Sequence, residues 1–125
     1  MKTKYELEYT FNTSPAILFN RISTPEGLSE WFADDVNLKN GLFTFIWDGV
    51  EHFAEVISKK DNKHIRFKWE DSEEEEFFEF KIQKDEITGD LALMITDFAD
   101  DDSDQEDAAD LWDSQISELK RAIGI

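Results

Sequence analysis

A chain of 125 residues is the usual size of one domain, so we expect a single domain with one core over residues 1–125. Hydrophobic residues make up 40% of the chain, and with 11 Phe and 4 Trp this composition excludes an intrinsically disordered protein. Thirty Asp and Glu against 13 Lys and Arg give a formal net charge of −17, which argues against nucleic acid as a partner. Such acidity favours solubility, and it leaves open a basic protein partner or a cationic ligand.

The sequence contains no Cys, which excludes disulfides, thiolate metal sites and a cysteine nucleophile and is typical of a reducing compartment. Residues 1–8 lack the apolar segment of a signal peptide, and no stretch approaches the roughly 18 apolar residues of a membrane span. We therefore expect a cytoplasmic protein with no membrane insertion.

The N-terminal part begins with a strand pattern and continues with two helix starts. Apolar and polar residues alternate from residue 3 to residue 11, which predicts a strand with one buried face. Ser14 followed by Pro15, and Thr24 followed by Pro25, each combine a helix N-cap with a proline in the first turn. Two short helices are predicted after the first strand.

Strand patterns return from residue 39 to residue 96. Apolar segments separated by turn-rich stretches predict five antiparallel strands, at 42–47, 53–57, 65–69, 77–82 and 91–96. Asp48-Gly49 and Asp61-Asn62 are the strongest hairpin signals, because Asp-Gly suits the positive φ values of a type I′ turn.

The last segment combines an acidic run with an amphipathic pattern. Residues 97–110 are rich in Asp and Glu, and apolar residues recur at helical spacing from Ala108 to Ile123. This spacing predicts a helix of about four turns, with Lys120 and Arg121 at the end that the helix dipole favours for cations. Since a run of hairpins cannot leave its apolar face in water, we expect this helix to cover the sheet.

Four parts of the chain carry more particular sequence features: Ser14-Pro15-Ala16-Ile17-Leu18-Phe19, the segment from Thr24 to Phe32 that ends in Trp-Phe, Ile65-Arg66-Phe67-Lys68-Trp69, and Trp112 with Leu119. In this order they resemble the helix-grip fold of the START-like (SRPBCC) superfamily. Within it, the chain looks most like the family named after the activator of heat-shock protein ATPase (AHSA-like).

The resemblance implies an α+β fold in which a curved antiparallel sheet of about six or seven strands wraps around a long C-terminal helix. It also implies an apolar cavity between sheet and helix, which in this superfamily often holds a lipid-like or other hydrophobic ligand. The stretch from Asp97 to Asp107 is longer and more acidic than the junction that the resemblance implies between the last strand and the helix.

Apolar side chains on the predicted inner face are the candidates for lining such a cavity, because ligand pockets are mostly apolar with few polar anchors. The same side chains could instead form a close-packed core with no room for a ligand. The candidate cavity residues are Trp31, Phe32, Phe45, Trp47, Phe67, Trp69, Phe78, Phe80, Met94, Trp112, Gln115 and Ile116.

Four polar residues fall beside these positions and could anchor a ligand. Arg66 and His64 lie in the opposite strand phase from their aromatic neighbours, so we expect them to face solvent. His52 could face either way, and Gln115 lies near the apolar stripe of the last helix.

No motif for catalysis stands out: Gly-x-Ser-x-Gly, Walker and His-Glu-x-x-His patterns are missing, and the two His fall on separate predicted strands. Asp100, Asp102 and Asp104 have the spacing of a calcium loop, but Gln105 and Leu111 stand where that loop requires Gly and Glu. We therefore predict no catalytic residue, no metal site and no cofactor.

The leading hypothesis is a non-catalytic binding domain whose cavity takes a hydrophobic small molecule, lipid-like or aromatic. An alternative is an acidic, co-chaperone-like interaction module that binds a basic protein partner. A further alternative is a cavity enzyme of the cyclase or hydrolase type, because related folds include enzymes that work by shaping a cavity.

Overall fold

The computed structural model describes residues 2–100 and 102–125, and the side chains of residues 102 and 103 lie outside this description. In the described part of the chain, the element order is β1 (Thr3–Phe11), α1 (Pro15–Ser23), α2 (Pro25–Ser29), β2 (Asp35–Lys39), β3 (Leu42–Trp47), β4 (Val50–Lys60), β5 (His64–Trp69), β6 (Phe78–Lys84), β7 (Leu91–Ala99) and α3 (Asp102–Ile123).

The strands form one open antiparallel sheet in the order β1-β7-β6-β5-β4-β3-β2, so that β1 and β2 are its edges. The pairing of β4 with β5 shifts register between Val56 and Ser58, and a bulge of this kind bends a strand and increases its twist. The curved sheet packs against α3, which confirms the predicted α+β helix-grip architecture with two short helices after the first strand.

The start signals of both short helices are confirmed in atomic detail. The Ser14 hydroxyl accepts a hydrogen bond from the Ile17 amide at 3.2 Å, and the Thr24 hydroxyl accepts one from the Gly27 amide at 3.0 Å. A proline stands in the first turn of each helix, where a missing N–H costs nothing.

Both predicted hairpin turns are also confirmed. Asp48 and Gly49 have φ values of 51° and 79°, and they join β3 to β4 as the type I′ turn requires. Asn62, with a φ of 62°, lies in the turn that joins β4 to β5.

The strand β2 was not predicted. Val36 is its one buried residue, and Leu38 is 48% exposed, so this short edge strand has almost no buried face to produce a hydrophobic pattern. It is defined by its backbone pairing with β3 and not by its side chains.

The predicted acidic junction over residues 97–107 is wrong. β7 continues to Ala99 and α3 already begins at Asp102, so most of the acidic residues belong to regular structure. The helix has 22 residues, about six turns, whereas the sequence pattern predicted about four turns. Among the described residues, no helix is both long and apolar enough to cross a membrane.

The core lies between α3, the two short helices and the face of the sheet that packs on them, which we call the inner face. Its largest fully buried side chains are Phe45, Phe67, Phe78, Phe80, Leu18, Ile22, Leu28, Ile65, Leu93, Ile95 and Leu119. Four of these eleven side chains are phenylalanine, whose rings pack in offset-stacked or edge-to-face arrangements.

A close approach between α1 and α2 fixes where the chain enters the core. A Cβ atom on Gly27 would lie 2.4 Å from the carbonyl oxygen of Asn20 and 2.6 Å from the Cα of Arg21. The indole of Trp31 donates to the Arg21 carbonyl oxygen at 2.8 Å, which holds the same two segments together. This corner places Phe32 over the inner face.

We expect the substitution Gly27→Ala to destabilise the protein by roughly 1 to 3 kcal/mol, because the added methyl group meets backbone atoms that cannot move independently. Urea denaturation followed by tryptophan fluorescence measures this loss. Glu26→Ala, at the adjacent exposed position, is the control and should cost well under about 1 kcal/mol. Equal stability of the Gly27→Ala variant and the natural protein would contradict the close contact.

Candidate functional site

One end of the space between sheet and α3 is not filled by core side chains. A pocket of about 440 Å³ opens there, and we call it the aromatic pocket. It is lined by Phe32, Trp47, Trp69, Phe78, Asp97, Ala108, Leu111, Trp112 and Gln115. Leu111 is 62% exposed, which places it at the rim of the pocket.

The strand ends explain why these residues meet. β3 ends at Trp47, β5 ends at Trp69 and β6 begins at Phe78, and in an antiparallel sheet these three positions lie at the same end. The N-terminal half of α3 passes over that end and supplies Ala108 and Trp112. The pocket is thus a product of the sheet topology.

Phe32 is the central ring of the pocket. Its centroid lies 5.7 Å from that of Trp112, in a stacked arrangement, and 5.3 Å from that of Trp47, edge to face. Trp69 stacks on Phe78 at 4.8 Å, and the rings of Trp47 and Trp69 are 6.1 Å apart with their planes at 59°. The walls are therefore held by ring contacts in several directions.

The backbone carbonyl of Phe32 links three elements at the pocket. It accepts a hydrogen bond from the indole N–H of Trp47 and another from the side-chain amide of Gln115, each at 2.9 Å. The Gln115 amide is therefore engaged in positioning α3 against the sheet. This N–H group of Gln115 therefore holds the fold together and is already bound to the protein.

Asp97 is the one carboxylate among the lining residues. It lies opposite Tyr5 in the β1–β7 pairing, and the buried Tyr5 hydroxyl donates to its Oδ2 at 3.4 Å. The Trp112 indole donates to the same hydroxyl at 3.1 Å, and the Phe98 amide donates to Asp97 Oδ1 at 2.8 Å. A short chain of hydrogen bonds therefore connects α3, β1 and β7 at the wall of the pocket.

Burial in this wall raises the pKa of Asp97 to about 6, although hydrogen bonds from Phe98, Tyr5 and Trp112 and the charge of Lys2 act in the opposite direction. Burial, together with the charge of Asp97, also raises the pKa of Tyr5 to about 12. The Tyr5 hydroxyl therefore stays protonated and can donate to the carboxylate at neutral pH.

A second cleft, of about 380 Å³, borders the aromatic pocket and shares Trp69 and Asp97 with it. We call it the acidic groove, and its other lining residues are Lys2, Asp71, Ser72, Glu73, Glu76, Phe77 and Phe98. The ammonium of Lys2 lies 3.6 Å from the buried Glu76 carboxylate. Negative side chains thus outnumber positive ones at this side of the pocket.

The twelve candidate cavity residues divide into three groups. Six of them line the aromatic pocket: Phe32, Trp47, Trp69, Phe78, Trp112 and Gln115. Five others are buried in the core: Trp31, Phe45, Phe67, Phe80 and Ile116. Met94 lies on the outer face of the sheet, because its strand neighbours Leu93 and Ile95 are buried on the inner face.

The candidate polar anchors are also separated by the sheet. His52 pairs with the buried Phe45 on the inner face, and its ring contacts Trp47 at 5.4 Å. Arg66 binds Glu79 at 2.9 Å on the outer face, as expected from its strand phase. His64 contacts the Ser58 hydroxyl at 2.8 Å on that same outer face, away from His52.

No group of three or more His, Cys, Asp or Glu within the described ranges is arranged to hold a metal ion. The calcium-like spacing of Asp100, Asp102 and Asp104 falls partly outside the described residues, because the Asp102 side chain is not among them.

Sequence reasoning did not assign Asp97, Ala108 and Leu111 to the site. Ala108, one turn before Trp112, and Leu111, immediately before it, belong to the apolar pattern of the last helix, and that pattern was the available signal. Asp97 follows Leu93 and Ile95 in the inward phase of β7. Because the sequence pattern predicted that this strand ends at residue 96, Asp97 was not recognised as part of its inward-facing positions.

Comparison with known proteins agrees with the fold. A family model for a START-like superfamily domain matches residues 1–125. A solution NMR structure of a Bacteroides fragilis protein is similar at 42% identity, with a TM-score of 0.69, and the match covers 99% of this chain and 93% of that protein. A comparison with curated proteins gives no match.

More distant structures share the architecture. The Aha1 dimer from Colwellia psychrerythraea is similar with a TM-score of 0.79 at 16% identity, over 98% of this chain and 97% of that one. CalU16 from Micromonospora echinospora has a TM-score of 0.73 at 11% identity, over 98% of this chain and 75% of that one. At such low identities the likeness concerns the fold alone.

We expect Asp97 to make the stability of the protein depend on pH. Its pKa is raised from 3.8 to about 6 in the folded state, so the folded protein binds this proton more tightly than the unfolded chain. The stabilising contribution is therefore complete below about pH 4 and is lost as the pH rises through 6. Replacement by Asn should flatten this part of the profile by about 1 to 3 kcal/mol.

The measurement is urea denaturation of the natural protein and of Asp97→Asn at closely spaced values between pH 4 and pH 7.5. Glu86→Gln, which removes an exposed carboxylate from the turn between β6 and β7, should keep the profile of the natural protein. Parallel profiles for the natural protein and Asp97→Asn would show that burial does not perturb Asp97.

Proposed function

The chain belongs to the START-like superfamily, and from this premise we propose that its aromatic pocket binds a hydrophobic small molecule, lipid-like or aromatic in character. The observation that carries the proposal is a pocket of about 440 Å³ with five aromatic rings in its lining. Small-molecule sites have volumes of about 300 to 1,000 Å³ and mostly apolar walls.

The walls of the pocket are held in place without a ligand. The Trp47 indole and the Gln115 amide are both bound to the Phe32 carbonyl, and the Trp112 indole is bound to the Tyr5 hydroxyl. A site whose side chains are already ordered loses little conformational entropy on binding. This rigidity supports a ligand site over a gap left by loose packing.

The extent of the pocket favours a compact ligand. Phe45, Phe67 and Ile116 are buried in the core beside it, with exposures of 0%, 0% and 2%, so the space does not continue along the helix. A ring system or a short chain matches this shape better than a long acyl chain lying parallel to α3.

Binding of neutral apolar compounds should raise the melting temperature of the protein, because a ligand bound only to the folded state stabilises it by mass action. At a concentration of 100 times the Kd the stabilisation is about 2.7 kcal/mol. A panel of aromatic alcohols, sterols and short-chain alcohols tested by thermal shift measures the effect. No shift and no change in tryptophan fluorescence with any compound would overturn the proposal.

Filling the pocket should abolish this binding without unfolding the protein. Ala108 lines the pocket and is only partly buried, so the substitution Ala108→Phe places a ring in the free space. Ala109→Phe adds the same ring one position further on, where the side chain does not line the pocket. We expect at least about a tenfold loss of affinity for the first variant and less than about twofold for the second.

Circular dichroism and urea denaturation of both variants test whether the fold is retained. Equal affinities for the two variants would place the ligand elsewhere.

A basic protein partner is a second proposal, supported by the formal net charge of −17 and by the acidic groove. Immobilised protein should then retain a basic partner from a cell lysate at low salt and release it at high salt, because ionic strength screens exposed charges. Retention that does not change with salt, or no retention, would contradict an electrostatic partner.

A further inference from the structure

We infer that the aromatic pocket selects apolar molecules that carry a protonated amine, and that Asp97 is the carboxylate that binds the ammonium group. This inference rests on the proposed function, because it names the class of ligand for the same pocket. Four features carry it: the place of Asp97 in the wall, its free acceptor capacity, the aromatic walls, and the charge around the pocket mouth.

Asp97 occupies a position where an apolar side chain is the usual choice. Its strand neighbours in the same phase, Ile95 and Ala99, are 0% and 6% exposed, and the rings of Trp69 and Trp112 line the pocket beside it. A carboxylate in such a wall is costly unless it is paired with a positive charge or fully hydrogen-bonded. It therefore marks the point at which a ligand group of opposite charge would be bound.

The hydrogen bonds of Asp97 leave acceptor capacity for a ligand. Oδ1 accepts the Phe98 amide at 2.8 Å, whereas the Tyr5 hydroxyl donates to Oδ2 from 3.4 Å, beyond the usual range for an O–H···O bond. A carboxylate offers about four lone-pair positions, and the hydrogen bonds from Phe98, Tyr5 and Trp112 use at most three of them. An ammonium N–H that donates to Oδ2 would complete the hydrogen bonds of the carboxylate.

The aromatic walls favour the same kind of ligand. Cations are attracted to the faces of aromatic rings, most strongly to tryptophan, within about 6 Å of the ring centroid. Trp47, Trp69 and Trp112 all line the pocket. An alkyl- or arylammonium ion can therefore bury its apolar part against the rings and direct its charge to Asp97.

The charge around the mouth opposes an anionic ligand such as a fatty acid. The acidic groove adds Asp71, Glu73 and Glu76 on the side where Asp97 lies. The Lys2 ammonium is paired with Glu76 at 3.6 Å. Lys68 donates to the Ser72 hydroxyl at 3.2 Å and to the Glu73 carbonyl oxygen. The Lys2 and Lys68 ammonium groups are thus already bound to groups of the protein.

The acidity of Asp97 is consistent with this role. Burial raises its pKa to about 6, so at pH 7.5 the group is mainly ionised while it is incompletely solvated. An ammonium ion in contact with it would favour the ionised form. A neutral or anionic ligand would offer no such compensation.

The test uses three compounds with one apolar skeleton: 4-phenylbutylamine, 4-phenylbutan-1-ol and 4-phenylbutyrate. Isothermal titration calorimetry at pH 7.5 and 150 mM NaCl, with tryptophan fluorescence as a second signal, gives the three Kd values. We expect the amine to bind the natural protein at least about tenfold more tightly than the alcohol, and the carboxylate to bind most weakly.

Asp97→Asn keeps the size of the side chain and removes its charge, and Glu86→Gln removes the same charge from an exposed turn outside the pocket. The first variant should lose at least about tenfold in affinity for the amine and change less than about twofold for the alcohol. The second should behave as the natural protein, because a general attraction of cations to an acidic surface does not depend on one site.

The outcomes separate this inference from the function on which it rests. Equal affinities for the amine and the alcohol, or an amine affinity unchanged in Asp97→Asn, would overturn the assignment of ligand class and leave a pocket that binds neutral compounds. If none of the three compounds binds, and the neutral panel gives no thermal shift, both proposals fail together. An equal loss of amine affinity in Glu86→Gln would assign the preference to surface charge and overturn the role of Asp97.

Discussion

The backbone carbonyl of Phe32 is where the sheet, the short helices and α3 are joined. It accepts the Trp47 indole from β3 and the Gln115 amide from α3, each at 2.9 Å, and the Phe32 ring stacks on Trp112 at 5.7 Å. Because buried polar groups must be hydrogen-bonded, these two bonds fix the distance between β3 and α3. That distance keeps the end of the fold open, and the aromatic pocket depends on it.

The two ends of the space between the sheet and α3 differ in packing. At one end Leu18, Ile22 and Leu119, each 0% exposed, close the core with flexible aliphatic side chains. At the other end the inner face presents large rigid rings, which contact Phe32 at interplanar angles between 18° and 87°. The indoles of Trp47 and Trp112 are held by hydrogen bonds, so these rigid rings are less able to collapse into a gap than aliphatic chains, which gives a physical reason for a pocket at this end.

Asp97 shows how one side chain can belong to two environments. It borders the apolar pocket on one side and the acidic groove on the other, and it is linked to α3 through the Tyr5 hydroxyl and the Trp112 indole. Exposed carboxylates commonly serve to keep a protein in solution, and this explanation is sufficient for most of the carboxylates of this chain. Asp97 differs from them because strand alternation turns it inward.

Local rules in the sequence determined most of the architecture: alternation predicted β1, the Ser14 and Thr24 caps predicted α1 and α2, and Asp48-Gly49 predicted a hairpin. They failed at β2, whose identity depends on pairing alone, and at residues 97–107, where acidic composition concealed the end of β7 and the start of α3. Periodicity could place aromatic residues on the inner face, but it could not divide Phe45 in the core from Phe32 in the pocket. That division depends on how far each ring lies from the end of the sheet, a distance that only the packing of α3 sets.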